Sequence, residues 1–214
     1  MNDRGSCGIS GGQYPSDCEV MEGLRQRVLA RKDQDERGYV WRNCLPLAKE
    51  ILVLLLDVDG VLTDGSIVYG NSGTELKGFN IKDGFGIRLL REAGVEVGII
   101  TARRSEAVER RAQDLKLAHL YQGVGNKIEA FEKILAEQKL SPQQVAYMGD
   151  DWLDLPLLSR VGLAATVADG VAEVKAVAHY VTRQAGGRGA VRELCELIIE
   201  AKGQREELLA RYLR

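Results

Sequence analysis

From residue 51 onward, short apolar runs alternate with stretches of helical periodicity, and nothing comparable precedes them. Residues 51–56 are continuously apolar, the pattern of a strand buried on both faces. Residues 66–69 and 75–79 flank Gly70-Asn71-Ser72-Gly73 and predict a β-hairpin. Helical spacing over 84–93 is stopped by Gly94, and 95–101 is the next buried strand. Then come a helix over 105–115, a very short strand at 120–121 and a helix over 127–138. Ser141-Pro142 opens a short helical turn, with Ser as cap and Pro at the first position. Strands follow at 145–148, 163–167 and 180–181, separated by helices over 151–159 and 171–176. A last helix covers 189–202, and residues 203–214 form a charged tail. This alternation predicts an α/β domain over 47–202, with a parallel sheet covered on both faces. Residues 1–46 read differently. They are rich in Gly, Ser, Asp and Asn at first, then charged, with a thin apolar stripe at Leu24, Val28 and Leu29. A poorly ordered arm with one short helix is expected there.

In such a sheet, ligands bind beyond the carboxyl ends of the strands. Asp57-Val58-Asp59-Gly60 follows the first apolar run, and Thr101 ends the second. Lys127 opens a helix, and Gly149-Asp150-Asp151 follows the 145–148 strand, with Asp154 one turn on. Bare carboxylates on two neighbouring strand ends repel each other. A hard divalent cation with oxygen ligands relieves this, and Mg²⁺ takes such sites together with a substrate phosphate. A DxD alone is a common loop or cap. The ordered set of DxD, Thr, Lys and GDDxxD is more specific, because helix capping does not account for the Thr and the Lys.

That set resembles the haloacid dehalogenase-like phosphohydrolases over residues 50–200. The resemblance implies roles position by position. Asp57 is the nucleophile, and Asp59 is the general acid and base. Thr101 holds the phosphoryl oxygens, and Lys127 neutralises charge on nucleophile and phosphate. The metal ligands are Asp57, Asp150 and the main-chain oxygen of Asp59, with Asp151 and Asp154 behind them. A carboxylate nucleophile splits one hard displacement into two through an aspartyl-phosphate. Asp59 must be protonated as the ester oxygen leaves, and must later take a proton from water. The cation and Lys127 stabilise charge on the transferring oxygens. Asp57 and Thr101 stand 44 positions apart, and Thr101 and Lys127 stand 26 apart. Neither gap holds a cap domain. The expected fold is therefore a Rossmann-like three-layer sandwich, capless apart from a small β-hairpin flap.

The intervening residues resemble the 3-deoxy-D-manno-octulosonate 8-phosphate phosphatase group. They are 73–77, Phe79 to Gly84, Gly86-Ile87-Arg88, Thr101-Ala102-Arg103-Arg104, 119–123 and 186–190. Ala102 stands where members often carry Gly. The resemblance implies hydrolysis of an eight-carbon sugar acid phosphate used in lipopolysaccharide, and a homotetramer. It places substrate contacts at Asp59, Asn80, Ile81, Lys82, Asp83, Gly84, Arg88, Arg103, Arg111 and Lys127. Arginines suit an anionic sugar, because their planar fork reads a carboxylate in bidentate fashion. Arg188, between glycines in 186–189, is expected on a mobile loop that closes over substrate. Two rivals are a phosphatase for a nine-carbon sialic-type acid phosphate and a non-catalytic oligomerisation module.

Composition narrows the setting. Lys and Arg total 29 against 31 Asp and Glu, so the net charge of -2 carries no footprint for nucleic acid. The longest apolar run is too short to span a bilayer, and no apolar signal segment follows Met1. Cys7, Cys18, Cys44 and Cys195 contain no CxxC pair, which speaks against a zinc site or a disulfide framework. A cytoplasmic, reduced protein with no membrane partner is expected. His119 and His179 are expected to pack, and Cys195 to lie in the core.

Overall fold

The computed structural model describes residues 22–23 and 38–213. In chain order these hold α1 (Gly38–Lys49), β1 (Val53–Leu56), β2 (Val68–Tyr69), β3 (Glu75–Leu76), α2 (Ile81–Glu92) and β4 (Glu96–Thr101). Next come α3 (Glu106–Asp114), β5 (His119–Gln122), α4 (Lys127–Gln138), β6 (Val145–Met148) and α5 (Leu155–Leu158). The chain continues through β7 (Leu163–Thr166), α6 (Ala172–Val177), β8 (Tyr180–Val181), α7 (Ala190–Ala201) and α8 (Arg205–Arg211). Single 3₁₀ turns lie at Pro142–Gln144 and Trp152–Asp154.

Six strands form one parallel sheet in the order β5-β4-β1-β6-β7-β8, as the α/β reading expects. From β1 the chain builds outward through β4 and β5, then returns to lay β6 on the other side of β1. That reversal opens a crevice at the carboxyl ends of β1 and β6. Register puts Leu56 opposite both Ile99 and Met148, so Asp57, Thr101 and Gly149 leave the sheet along one rim.

Alternation along the strands divides the core in two. Leu54, Leu56, Val97, Ile99, Ala146 and Met148 face one layer, built from α1, α2, α3 and α7. Val53, Leu55, Ile100, Val145 and Tyr147 face the other, built from α4, α5 and α6. The result is the expected three-layer sandwich. Cys195 is fully buried on α7, and His179 Nδ1 accepts a hydrogen bond from the Ala164 amide at 2.9 Å.

The larger differences from the sequence reading fall at the ends. The boundary expected after residue 46 lies inside α1, whose Trp41, Cys44 and Ala48 are buried. Trp41 packs edge-on against Tyr180 at 5.7 Å and donates to Glu200 at 3.1 Å. The rest of the expected arm, with Cys7 and Cys18, lies outside the described residues. The expected charged tail contains α8, which buries Leu208. The Phe85 and Tyr212 rings meet edge to face at 5.5 Å, so the chain end packs on α2. The hairpin is shorter than expected. It pairs Val68 with Leu76 and Tyr69 with Glu75, and Lys77 leaves the ladder to reach the rim.

Candidate active site

Asp57 directly follows β1, and its amide donates to the Met148 carbonyl at 2.9 Å. One bond thus ties the end of β1 to the end of β6. Val58 then accepts bonds from the Val61, Leu62 and Thr63 amides, which folds the chain into a tight turn. At its centre Gly60 has φ +84, and a Cβ there would sit 2.1 Å from Asp150 Oδ2. Glycine is what lets this loop lie against the second acidic strand end. Gly60→Ala is expected to weaken divalent-cation binding about tenfold or more, read by calorimetry. Unchanged affinity would mean that the loop does not hold Asp150 in place.

Asp57, Asp150 and Asp154 each bring a carboxylate oxygen within 4.8 Å of the other two. They differ in what already binds them. Asp154 is completely buried and fully used. Its Oδ1 accepts from Lys127 Nζ at 2.6 Å and from the Tyr147 hydroxyl at 2.5 Å. Its Oδ2 accepts from the Asp150 and Asp151 amides at 2.9 and 3.2 Å. Asp57 Oδ1 is buried without a hydrogen bond, facing Lys127 Nζ at 3.1 Å as an ion pair. Asp57 and Asp150 are therefore the carboxylates with coordination to offer, and Asp154 organises what surrounds them. Burial pushes Asp57 up to about 6, against the pull of Lys127 and with repulsion from Asp154. Burial, then Asp57, Asp154 and Asp151, push Asp150 up to about 7. Both carboxyls take up protons more readily than ordinary aspartates, and a proton competes with a cation for their oxygens, so cation affinity falls as pH drops through that range. The donor set fits a hard divalent cation.

Lys127 is the first residue of α4, where Asn126 caps by accepting from the Ile128 amide. An ammonium at a helix N-terminus opposes the dipole. Burial also disfavours its charge, but Asp57 and Asp154 outweigh this and hold its pKa above the ordinary lysine value. Tyr147 completes the group, accepting from Lys127 Nζ at 3.0 Å. The sequence reading missed Tyr147. Its signal was a phenol within an otherwise apolar buried strand, since a buried hydroxyl requires a partner. Thr101, 3% exposed, ends β4 beside this cluster.

Asp59 faces the hairpin. It pairs with Lys77 Nζ through Oδ1, and Arg103 Nε stands 3.6 Å from its Oδ2. Glu75 accepts from Arg103 Nη2 at 2.5 Å and lies 3.2 Å from Lys77 Nζ. Glu75 and Lys77 were read from sequence only as part of a motif, because nothing in their spacing shows that the hairpin folds back onto Asp59.

A family profile for haloacid dehalogenase-like hydrolases matches residues 117–194. The chain is 48% identical over 170 residues to the 3-deoxy-D-manno-octulosonate 8-phosphate phosphatase KdsC of Escherichia coli K12, covering 79% of this chain and 90% of that protein. It belongs to the haloacid dehalogenase-like phosphatases, in that group. The crystal structure of the Yersinia pestis 3-deoxy-D-manno-octulosonate 8-phosphate phosphatase superposes with a TM-score of 0.75 at 48% identity, over 77% of this chain and 89% of that one. The Moraxella catarrhalis enzyme, solved with magnesium, phosphate and KDO, gives 0.78 at 37% identity, over 80% and 98% of the two chains.

The phosphatase distributes the other expected site residues unevenly. Asn80 caps α2, and its Nδ2 donates to the Gly187 carbonyl at 3.2 Å. Ile81 is 85% exposed, and Lys82 is exposed beside it. Asp83 is 1% exposed, and its carboxylate accepts from the Gly189 and Arg192 amides at 3.2 and 2.7 Å. The structure thus makes Asp83 a cap for α7, with both oxygens engaged by backbone. Arg111 donates to the Asn80 carbonyl at 3.3 Å and lies over the Phe79 ring, and a Cβ on Gly84 would strike its guanidinium. Arg111 and Gly84 therefore brace the turn that presents Asn80. Arg88 lies about two turns along α2, bonded to Tyr212 and paired with Glu92, away from the Asp57 rim. Asp151 is exposed and accepts from the Trp152 amide at 2.7 Å, so it caps a turn.

The glycine loop around Arg188 packs against the turn at Gly60. Gly187 donates to the Val61 carbonyl at 2.9 Å, and Gly186 to Asp169 at 2.9 Å. A Cβ on Gly186 would sit 1.8 Å from the Gly60 carbonyl. The loop is a wall packed on the Gly60 turn, and what it leaves exposed is the Arg188 side chain, paired with Asp64 at 3.1 Å.

Proposed function

We propose that this phosphatase hydrolyses 3-deoxy-D-manno-octulosonate 8-phosphate to the free sugar acid and phosphate, with Mg²⁺, as a step in lipopolysaccharide precursor synthesis in the cytoplasm. The observation that carries this reading is the crowding of Asp57 and Asp150 beside Lys127, in a chain of the sugar-acid phosphatase group. Among the described residues no helix is long and apolar enough to cross a membrane.

Asp57 attacks phosphorus, and Asp59 delivers a proton to the leaving sugar oxygen and later takes one from water. Asp57, Asp150 and the main-chain oxygen of Asp59 would hold Mg²⁺, which supplies charge neutralisation on the phosphoryl oxygens. Lys127 adds a fixed positive charge from the opposite side, and Thr101 offers a hydroxyl to a phosphoryl oxygen. Asp154 and Tyr147 keep Lys127 aimed at Asp57. Arg103 and Lys82 are the cations placed to meet the sugar acid. A panel of phosphorylated acids tests the reading. The expected outcome is magnesium-dependent phosphate release with the highest kcat/KM on the eight-carbon acid. Preference for a nine-carbon acid phosphate, or for neutral sugar phosphates, would overturn the substrate assignment.

The hairpin supports assembly. Ile67, Val68, Tyr69 and Leu76 are each 46–68% exposed on a ribbon of two short strands. Such a ribbon is marginal alone, and an apolar patch of this kind marks an interaction surface. We read it as the contact of a homotetramer. Light scattering is expected to give four subunits at micromolar concentration, and a fully active monomer would contradict this.

A further inference from the structure

The hairpin carries a closed ring of four charges over the site. Asp59 pairs with Lys77, Lys77 with Glu75 at 3.2 Å, Glu75 with Arg103 at 2.5 Å, and Arg103 stands 3.6 Å from Asp59. Two members come from the hairpin and two from the rim. The hairpin shares no strand pairing with the main sheet, so this ring is a principal polar tie between them. Lys77 is nearly inaccessible, with 1% of its side chain exposed, whereas Arg103 is 41% exposed and open to an incoming ligand.

Within the ring, Glu75 is the member that catalysis does not use. Asp59 is assigned the general acid and base role, and Lys77 and Arg103 are the cations of the ring. Glu75 offers these cations a carboxylate from inside the protein. Its Oε2 lies on Arg103, while its Oε1 is buried without a hydrogen bond. The Arg103 hydrogen bond, with help from Lys77, holds its carboxyl below the usual glutamate range, so it is charged at neutral pH. A carboxylate between an arginine fork and an ammonium is what a sugar acid would also present.

We propose that Glu75 occupies, in the substrate-free enzyme, the place on Arg103 and Lys77 that the carboxylate of the sugar acid phosphate takes on binding. The inference rests on the sugar-acid reading above and adds a positioning residue to it. When substrate arrives, its carboxylate replaces that of Glu75, the Glu75–Arg103 contact opens and the hairpin moves off its latch. A phosphate ester without a carboxylate has nothing to exchange, so the ring stays shut on its outer side. Glu75 then tempers the affinity for acids, because an anionic tail must displace it to reach Arg103 and Lys77.

Kinetics of Glu75→Gln on two substrates test this. One is the eight-carbon acid phosphate, and the other is p-nitrophenyl phosphate, which has no carboxylate. Removing the internal competitor is expected to lower KM for the acid phosphate about two- to fivefold, the range a partly exposed ion pair can account for. The inhibition constant of the free sugar acid should fall by the same factor. kcat/KM for p-nitrophenyl phosphate should change less than that for the acid phosphate, with kcat on it retained. Glu75→Asp, which keeps the charge on a shorter arm, should lie between the two. A raised KM for the acid phosphate would overturn the proposal, because Glu75 would then contact substrate directly. Unchanged KM for the acid, or equal changes on both substrates, would also overturn it. Lost turnover on p-nitrophenyl phosphate would instead make Glu75 a support for Asp59, and so refute the exchange. A wild-type enzyme that cleaves p-nitrophenyl phosphate without preferring acids would sink the substrate reading, and this inference with it. Wild-type preference for acids with unaltered Glu75→Gln kinetics would sink this inference alone.

Discussion

Asp57→Asn is expected to lower turnover by at least about four orders of magnitude with the fold intact. The amide has nearly the shape of the carboxylate, so the turn after β1 and the bond from residue 57 to Met148 survive. Lys127 keeps Asp154 as its partner at 2.6 Å. What disappears is the nucleophile and one hard oxygen ligand together. Asp150 and Asp154 cannot substitute. The first is aimed at the Gly60 turn, and the second has both oxygens bound by donors. The check is single-turnover kinetics on protein verified by mass to be free of deamidation, alongside thermal melting. Activity within about a hundredfold of wild type would remove Asp57 from the nucleophile's role.

Asp154→Ala is expected to damage both stability and activity. Four donors converge on this carboxylate: the Lys127 ammonium, the Tyr147 hydroxyl and the amides of Asp150 and Asp151. Removing it leaves buried Lys127 with Asp57 as the one remaining carboxylate of its pair of partners, and strips two amides of their acceptor. Breaking a buried charge pair from one side costs about 3–5 kcal/mol. The loop that carries Asp150 loses its anchor as well, so cation affinity should drop with stability. A denaturant melt and a magnesium titration on one sample measure both. A loss under about 1 kcal/mol, the range of an exposed pair, would show that Asp154 is not the hub described here. Asp154→Asn separates shape from charge: it can keep the amide contacts, but not the ion pair with Lys127.

The parts of the account that were readable in the chain are those set by local pattern. The apolar run ending at Leu56 and the 127–138 periodicity carry their own boundaries, because burial on one or both faces dictates residue type at each position. The acids at strand ends were legible for the same reason, since a charge beside a buried run must point out of the sheet. α1 was not legible. Its stripe of Trp41, Cys44 and Ala48 sits among polar neighbours with Pro46 inside, and its partners on α7 lie some 150 residues further along the chain. Helix α2 begins at Ile81 rather than at residue 84, because Asn80 acts as its cap and Asp83 turns inward to serve α7. Both facts depend on tertiary placement. So does the ring of Asp59, Lys77, Glu75 and Arg103, whose members are adjacent only once the hairpin folds over the rim. The close packing of Gly186 and Gly187 against Gly60 and Thr63 was hidden for a related reason, since sequence does not show which backbone a glycine meets.

The central claim is that the carboxylate at the end of β1 accepts the phosphoryl group. Rapid acid quench during turnover of the eight-carbon acid phosphate with magnesium, followed by peptide mapping, tests it most directly. A phosphate on the peptide containing Asp57 is expected, formed within one turnover and lost as product accumulates. Product formation with no covalent phosphate at any time, or phosphate on a residue other than Asp57, would contradict it.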